Sequence, residues 1–189
     1  MKHTLTAALL TFALAPLAQA EDLEARAAAS RDASEQLLAA LQEMVTEAAQ
    51  AKGAAHAIEK CNLNALDITE KLSAELGMEI GRTSHKLRQA KNAPDAWEQA
   101  VLEKFLEREA AGEDLKQVEY YEVVDEDGQQ TFRYMKAIPL GGVCYNCHGM
   151  GIRKDVQAKL DELYPDDQAT GFVPGQLRGA FTIRQQIGE

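Results

Sequence analysis

The chain has 189 residues, in which 30 acidic residues outnumber 20 Lys and Arg and give a net charge of -10 at neutral pH. This length fits one domain with its own hydrophobic core, and the negative charge excludes a general attraction for nucleic acid or anionic lipid. Three cysteines are present, an odd number that cannot pair completely as internal disulfides.

The first twenty residues have the pattern of a secretory signal peptide. Lys2 precedes an apolar run, and Ala18-Gln19-Ala20 supplies the small residues of a cleavage site. The apolar run is too short to span a bilayer. We expect residues 1–20 to be removed after export and residues 21–189 to form a single periplasmic domain without a membrane span.

A long amphipathic helix is predicted over residues 21–60, where Ala, Leu, Glu and Gln are frequent and apolar side chains recur at helical spacing. Gly53 is expected to bend or interrupt it. We expect its alanine-rich first part, up to Ala33, to project from the body of the protein or to pack on a second protomer. A homodimer through this N-terminal helix is therefore one expectation.

Two further helices are predicted before the composition changes. The second covers residues 63–76, and the polar residues 77–92 read as an irregular connection. Pro94 and Asp95 are typical of a helix start, and Gly112 follows the last apolar residue of that third helix.

The second half of the chain has the pattern of a β-sheet. Val118–Val124 and Thr131–Ile138 are rich in β-branched and aromatic residues and flank the turn residues Asp125–Gly128, which predicts a hairpin. A short helix at 155–163 and a last strand at Leu177–Ile187 follow. Helices followed by antiparallel strands predict the α+β class. The alternative fold is a helical bundle cytochrome, but the predicted strands argue against it.

The motif with the clearest chemistry is Cys144-Tyr145-Asn146-Cys147-His148. Covalent attachment of haem uses two thiols about one helical turn apart, and the histidine next to the second thiol lies under the iron. The motif and the signal peptide together predict one covalently bound c-type haem, held by Cys144 and Cys147, with His148 as an iron ligand.

Two other interpretations of the two cysteines were weighed. A thioredoxin-like redox pair or disulfide normally opens a helix in a βαβ context, and Gly149 and Gly151 weaken that interpretation. A zinc site needs a fourth ligand and usually a second CxxC, which the sequence lacks. The haem is therefore the preferred prediction.

The second axial ligand of the iron must come from upstream of the motif. After His148 there is no further histidine or cysteine, and Met150 is too close in sequence to reach the opposite face of the haem. Cys61 is the thiol that the motif leaves over, although a buried free thiol is its ordinary role. The candidates are Met44, His56, Cys61, Met78, His85 and Met135, of which Met44 and Met78 are expected to lie in the core.

A cationic loop, with Arg82, Lys86 and Arg88 around His85, lies in the predicted connection. These side chains could pair with the haem propionates, or they could form a solvated surface cluster.

Several stretches together resemble the PAS-like domains with c-type haem, which occur alone in exported proteins or as sensor regions of bacterial receptors. The resemblance covers residues 35–187, and the sequence departs from the family pattern just after Arg88. It implies a PAS-like antiparallel sheet flanked by helices, and an upstream cysteine as distal ligand in some members, which matches Cys61. The stretches are Ala57–Cys61, Gly81–Ser84, Asn92–Glu98, Cys144–His148 and Pro165–Gly171.

These observations predict an exported haem protein that senses redox state or a diatomic gas such as NO or CO, with His148 and Cys61 as the axial pair. The alternative is a soluble periplasmic electron-transfer cytochrome c. An enzyme is not expected, because no acid-base constellation accompanies the motif. A partner protein, either a redox partner or a signalling partner, is expected in both cases.

Overall fold

The computed structural model describes residues 15–188, and for residues 15–21 only the backbone. The predicted signal peptide falls mainly on residues 1–14, which lie outside the described residues, so it stays a prediction. The helices are α1 (Ala15–Lys52), α2 (Ala54–Leu76), α3 (Ala96–Ala110), α4 (Tyr145–His148) and α5 (Lys154–Leu163), and the strands are β1 (Glu79–Thr83), β2 (Glu119–Glu126), β3 (Gln129–Pro139) and β4 (Leu177–Gln186).

The four strands form one antiparallel sheet in the order β1-β4-β3-β2. The hairpin between β2 and β3 turns on only Asp127 and Gly128, both with positive φ (56° and 84°). Such a two-residue turn suits Asp-Gly because the left-handed backbone is tolerated there. The sequence predicted a loop of four residues, but its first two, Asp125 and Glu126, belong to β2 and pair with β3.

The strand β1 was missed by the sequence prediction, which placed an irregular connection there. It is short and contains Gly81, so its pattern is weak. Its pairing with β4 along its whole length stabilises it. This strand carries Arg82 into the body of the protein.

The two faces of the sheet are covered by different helices. Side chains of β1, β3 and β4 that face α1 form one core with it, and side chains on the opposite face pack against α3. The first core includes Ala27, Ala33, Leu37, Ile80, Phe132, Tyr134, Phe181 and Ile183. The second includes Val101, Leu102, Phe105, Leu115, Val118, Met135, Ala137, Leu177 and Ala180.

The interruption expected at Gly53 is confirmed, but the predicted extent of the first helix to residue 60 is wrong. Helix α1 ends at Lys52 because Gly53 has a φ of 88°, and α2 then begins, so Cys61 lies inside α2. The alanine-rich part of α1 does not project, because Ala27 and Ala33 are fully buried against the sheet.

The fold class is confirmed: helices flank an antiparallel sheet, and a long helix stands at the N-terminal side. Within the described part of the chain, no helix combines the length and the apolar character needed to cross a membrane.

Candidate functional site

A cavity lies between the first two helices, the sheet and the segment that follows β3. Its wall contains Cys61 from α2 together with Cys144, Cys147 and His148. The structure therefore brings together all four residues that the sequence singled out. Apolar side chains complete much of the wall, among them Leu38, Leu41, Met44, Val45, Ile58, Leu66, Ile138, Leu140, Val143 and Phe181.

The two cysteines of the motif lie about one turn apart. Cys144 ends a 3₁₀ turn (Gly142–Cys144), and Cys147 and His148 belong to α4, which follows at once. Burial raises the pKa of both thiols above the ordinary value. Gly149 lets the chain leave α4, because a Cβ there would lie 2.6 Å from both the carbonyl oxygen and the ring of Tyr145.

One ring nitrogen of His148 is engaged by the protein. Nδ1 lies 2.7 Å from the carbonyl oxygen of Ala169, and because a carbonyl can only accept, Nδ1 carries the proton in this contact. Arg178 Nε lies 3.1 Å from the same nitrogen, and a protonated Nδ1 cannot accept from it, so we assign this approach to close packing. Nε2 keeps its lone pair for a metal.

The imidazole of His148 is held in its neutral form. Burial, together with the charges of Arg178 and Arg88, keeps its pKa well below the ordinary value. A neutral imidazole whose other nitrogen donates to a carbonyl is the arrangement that proteins use to orient a histidine ligand.

A segment before β4 fixes α4 in place. The backbone N–H of Phe172 donates to the His148 carbonyl at 3.1 Å, and that of Gly171 donates to the Gly149 carbonyl at 3.1 Å. Gly149 and Phe172 form a parallel bridge. This explains why residues 165–171, a distant stretch, belong with the motif.

Of the upstream ligand candidates, Cys61 and Met44 line the cavity. Burial, with Cys147 nearby, raises the pKa of the Cys61 thiol to about 11, against the opposing charges of Arg82 and Arg88. A thiolate at this position therefore requires a metal or another positive charge. The sequence had assigned Met44 to the core.

The other candidates lie elsewhere. His56 Nδ1 contacts Glu59 Oε2 at 2.8 Å on α2, and Met78 packs with the α1 core. Met135 is fully buried on the α3 face. His85 stands edge-on to Phe172, with ring centroids 6.0 Å apart, and is not on the cavity wall.

The alternative interpretations of the cysteines gain no support from this geometry. All three thiols are free. Among the residues that the structure describes, no three His, Cys, Asp or Glu side chains converge closely enough to hold a metal ion, whereas structural zinc needs four converging ligands.

The model of the Tll0287-like family matches residues 17–185. The chain belongs to the Tll0287-like family. A solved structure described as the cyanobacterial heme-protein Tll0287 superposes with a TM-score of 0.61, at 19% sequence identity, over 89% of this chain and 97% of that chain. A search of curated proteins found no match. The solved structure supports the fold, and the family match confirms the family resemblance seen in the sequence.

The residues of this Tll0287-like chain fit a haem. The cavity has an apolar wall for the ring, two thiols spaced for covalent attachment, and a neutral imidazole with a free Nε2. Cationic side chains on the wall suit the haem carboxylates. Arg178 is the wall residue that sequence reasoning missed, because an arginine in an alternating strand gives no signal of its direction.

Proposed function

We propose that this chain is a haem-binding protein that attaches one haem through Cys144 and Cys147 and offers His148 and Cys61 as axial ligands. One observation carries the proposal: these four residues lie on the wall of a single, largely apolar cavity. The structural relative is a heme-protein, which is consistent with the proposal. A bound haem supplies one-electron redox chemistry and a site for diatomic gases.

We further propose that the protein senses redox state or a gas. Cys61 lies on α2, which packs along α1, and α1 contacts both the cavity, through Leu41 and Met44, and the sheet, through Leu37. A change in the position of Cys61 therefore bears on a helix pair that contacts both the site and the sheet. Such an element can present two states to a partner.

Electron transfer is the second candidate, and exposed apolar side chains favour it. Met150 is 67% exposed and Val173 is 39% exposed. Met150 follows Gly149, and Val173 follows Phe172. Because Gly149 and Phe172 form a parallel β-bridge, Met150 and Val173 both lie beside the attachment motif. Exposed apolar surface next to a redox group suits transient docking of a partner protein.

The attachment test uses the export system with haem maturation factors. The denatured wild-type protein should carry the mass of one haem, and Cys147→Ala should lose stable two-point attachment. A wild-type mass equal to the bare polypeptide would show the proposal to be wrong. Periplasmic recovery of the processed chain would test the expected export in the same preparation.

The ligand test compares Cys61→Ser with Met44→Leu, since both residues line the cavity. Thiolate ligation stabilises ferric iron, so Cys61→Ser should change the ferric electron paramagnetic resonance spectrum and raise the midpoint potential. Met44→Leu keeps an apolar side chain of similar size and should leave the spectrum unchanged. The reverse result would assign the ligand to Met44.

A further inference from the structure

The cavity wall has a charge opposite to that of the whole protein. The chain carries 30 acidic residues and 20 Lys and Arg, but the described residues on the cavity wall include no Asp or Glu. Four cationic side chains lie there, namely Arg82, Lys86, Arg88 and Arg178. Such a wall suits an anionic ligand.

Of the four cations, Arg88 has a counter-charge, and Lys86 is a primary ammonium held by uncharged partners. Arg88 pairs with Asp167 at 2.9 Å. Lys86 Nζ donates to the Thr170 carbonyl at 3.2 Å and lies 4.8 Å from the centre of the Phe172 ring.

Arg82 and Arg178 have no carboxylate partner among the described residues. Arg178 Nη1 donates to Ser84 Oγ at 3.0 Å and to the Lys86 carbonyl at 3.4 Å, and its guanidinium lies 5.5 Å from the centre of the Phe172 ring. All of these partners are uncharged. For Arg82 the described residues provide neither a hydrogen bond nor an ion pair. The chain treats its buried arginine differently, because Arg133 on the opposite face of the sheet has three carboxylate neighbours, Asp95, Glu98 and Glu126.

The sheet is irregular where Arg178 lies. Ile138 pairs with Gly179 but Pro139 pairs with Leu177, so Arg178 is an extra residue in β4. Strand alternation puts Phe181 and Gly179 on the cavity side, and without the bulge Arg178 would point to the α3 face. A β-bulge commonly redirects a side chain next to a functional site.

Resting on the proposed function, we propose that Arg82 and Arg178 bind the two propionate carboxylates of the haem. A guanidinium group presents paired N–H donors that match a carboxylate. Burying a guanidinium without a counter-charge is unfavourable, and two carboxylates would supply the two charges that the cavity wall lacks. Arg82 and Arg178 are binding residues in this proposal.

The test measures the haem midpoint potential as a function of pH. Propionates paired with arginine stay ionised, so the wild-type potential should be insensitive to their titration. In Arg82→Gln and Arg178→Gln the propionate that has lost its arginine can be protonated and deprotonated within the measured pH range. The midpoint potential should then fall as the pH rises through the pKa of that propionate. The fall should reach at most a tenfold change in the ferric-to-ferrous ratio per pH unit. Arg82→Lys and Arg178→Lys keep the charge and should restore part of the wild-type profile.

Arg184→Gln is the matched control, because Arg184 lies on the same strand but pairs with Glu126, which also contacts Arg133 on the α3 face. It removes the same charge without touching the cavity. The other titratable groups that face the cavity are the same in every variant, so they cancel in the comparison. These groups are Cys61, Lys86, Arg88, Cys144, Cys147, His148 and Tyr164 on the wall, with Asp167 behind Arg88.

Three results separate the possibilities. No haem mass in the wild type would refute the proposed function itself. An attached haem with unchanged ligand spectra, and glutamine variants whose pH profiles match that of Arg184→Gln, would refute the propionate assignment alone. A wild-type potential that responds to added succinate, with the response lost in Arg82→Gln, would assign the two arginines to a diffusible carboxylate and overturn it.

Discussion

Arg88 and Asp167 form a buried ion pair that ties the loop after β1 to the Cys144–His148 motif. Arg88 Nη2 lies 2.9 Å from Asp167 Oδ2, and the two side chains are only 10% and 8% exposed. The same guanidinium donates to the Cys147 carbonyl at 2.7 Å. Asp167 Oδ1 accepts from the Ala169 N–H at 2.8 Å, and the Ala169 carbonyl accepts from His148. The pair therefore positions both Cys147 and His148.

Asp167→Ala should be strongly destabilising, because it leaves the Arg88 guanidinium buried without its counter-charge. Removing one partner of a buried pair costs about 3–5 kcal/mol of unfolding free energy. Urea denaturation of the haem-loaded protein measures the loss. Asp155→Ala is the control, since Asp155 pairs with Arg153 on the surface, where about 0–1 kcal/mol is expected. Equal losses in the two variants would contradict the assigned role.

Gly149→Ala should disturb the motif, whereas Gly151→Ala should not. A Cβ at Gly149 would lie 2.6 Å from the Tyr145 carbonyl oxygen, but nothing lies within 4 Å of the corresponding position at Gly151. The backbone of α4 must shift to relieve the contact, at about 1–3 kcal/mol. We expect a lower yield of attached haem and a lower denaturation midpoint for Gly149→Ala alone. Comparable yields for the two variants would show that α4 tolerates the added methyl group.

The parts of the fold that the sequence predicted well have local signals. The third helix was placed by Pro94 and Asp95, and the structure shows Asp95 and Glu98 in a capping box at its start. The motif of Cys144, Cys147 and His148 is likewise local. The mutual positions of these groups in one cavity could be expected only through family resemblance.

The parts that the sequence did not predict depend on contacts between distant residues. The strand β1 exists because β4, a hundred residues later, pairs with it. The direction of Arg178 depends on a bulge against β3, which leaves no pattern in β4 alone. Met44 was expected in the core but lies on the cavity wall. Helical periodicity does not show which part of α1 faces the cavity.

Acid should loosen the attachment of α1 to the sheet at Glu119. This carboxylate accepts from Arg31 Nε at 3.0 Å and from the Tyr134 hydroxyl at 2.8 Å. Burial alone would raise the pKa of Glu119, but the bonds from Arg31 and Tyr134 lower it below the ordinary 4.5. The stabilisation is therefore complete above about pH 4.5 and is lost as the pH falls through the lower, folded-state value.

Glu119→Gln should destabilise the protein at neutral pH by about 1–3 kcal/mol, and its difference from the wild type should shrink as the pH falls below the ordinary carboxyl value. Urea midpoints at several pH values measure this. Glu113→Gln makes the same charge change at the exposed pair with Arg108 and should stay close to the wild type throughout. A constant Glu119→Gln difference at all pH values would contradict the lowered pKa.

Reduction should make the iron accessible to carbon monoxide if Cys61 is a ligand that is released. Thiolate is held less firmly by ferrous than by ferric iron, and a buried thiol beside Cys147 favours the protonated form. Stopped-flow mixing of the reduced protein with carbon monoxide should then show binding limited by a slow first-order step. In Cys61→Ser that step should be faster or absent, because the position is already vacated.

Hydrogen exchange should report the same event in the helices. If Cys61 leaves the iron, amides around Cys61 in α2 and around Met44 in α1 should exchange faster in the reduced than in the oxidised protein. Val101 and Phe105 of α3 lie in the core on the opposite face of the sheet, so their exchange should not change. Equal exchange in the two redox states, together with no binding of carbon monoxide and fast electron exchange with a small cytochrome, would favour the electron carrier.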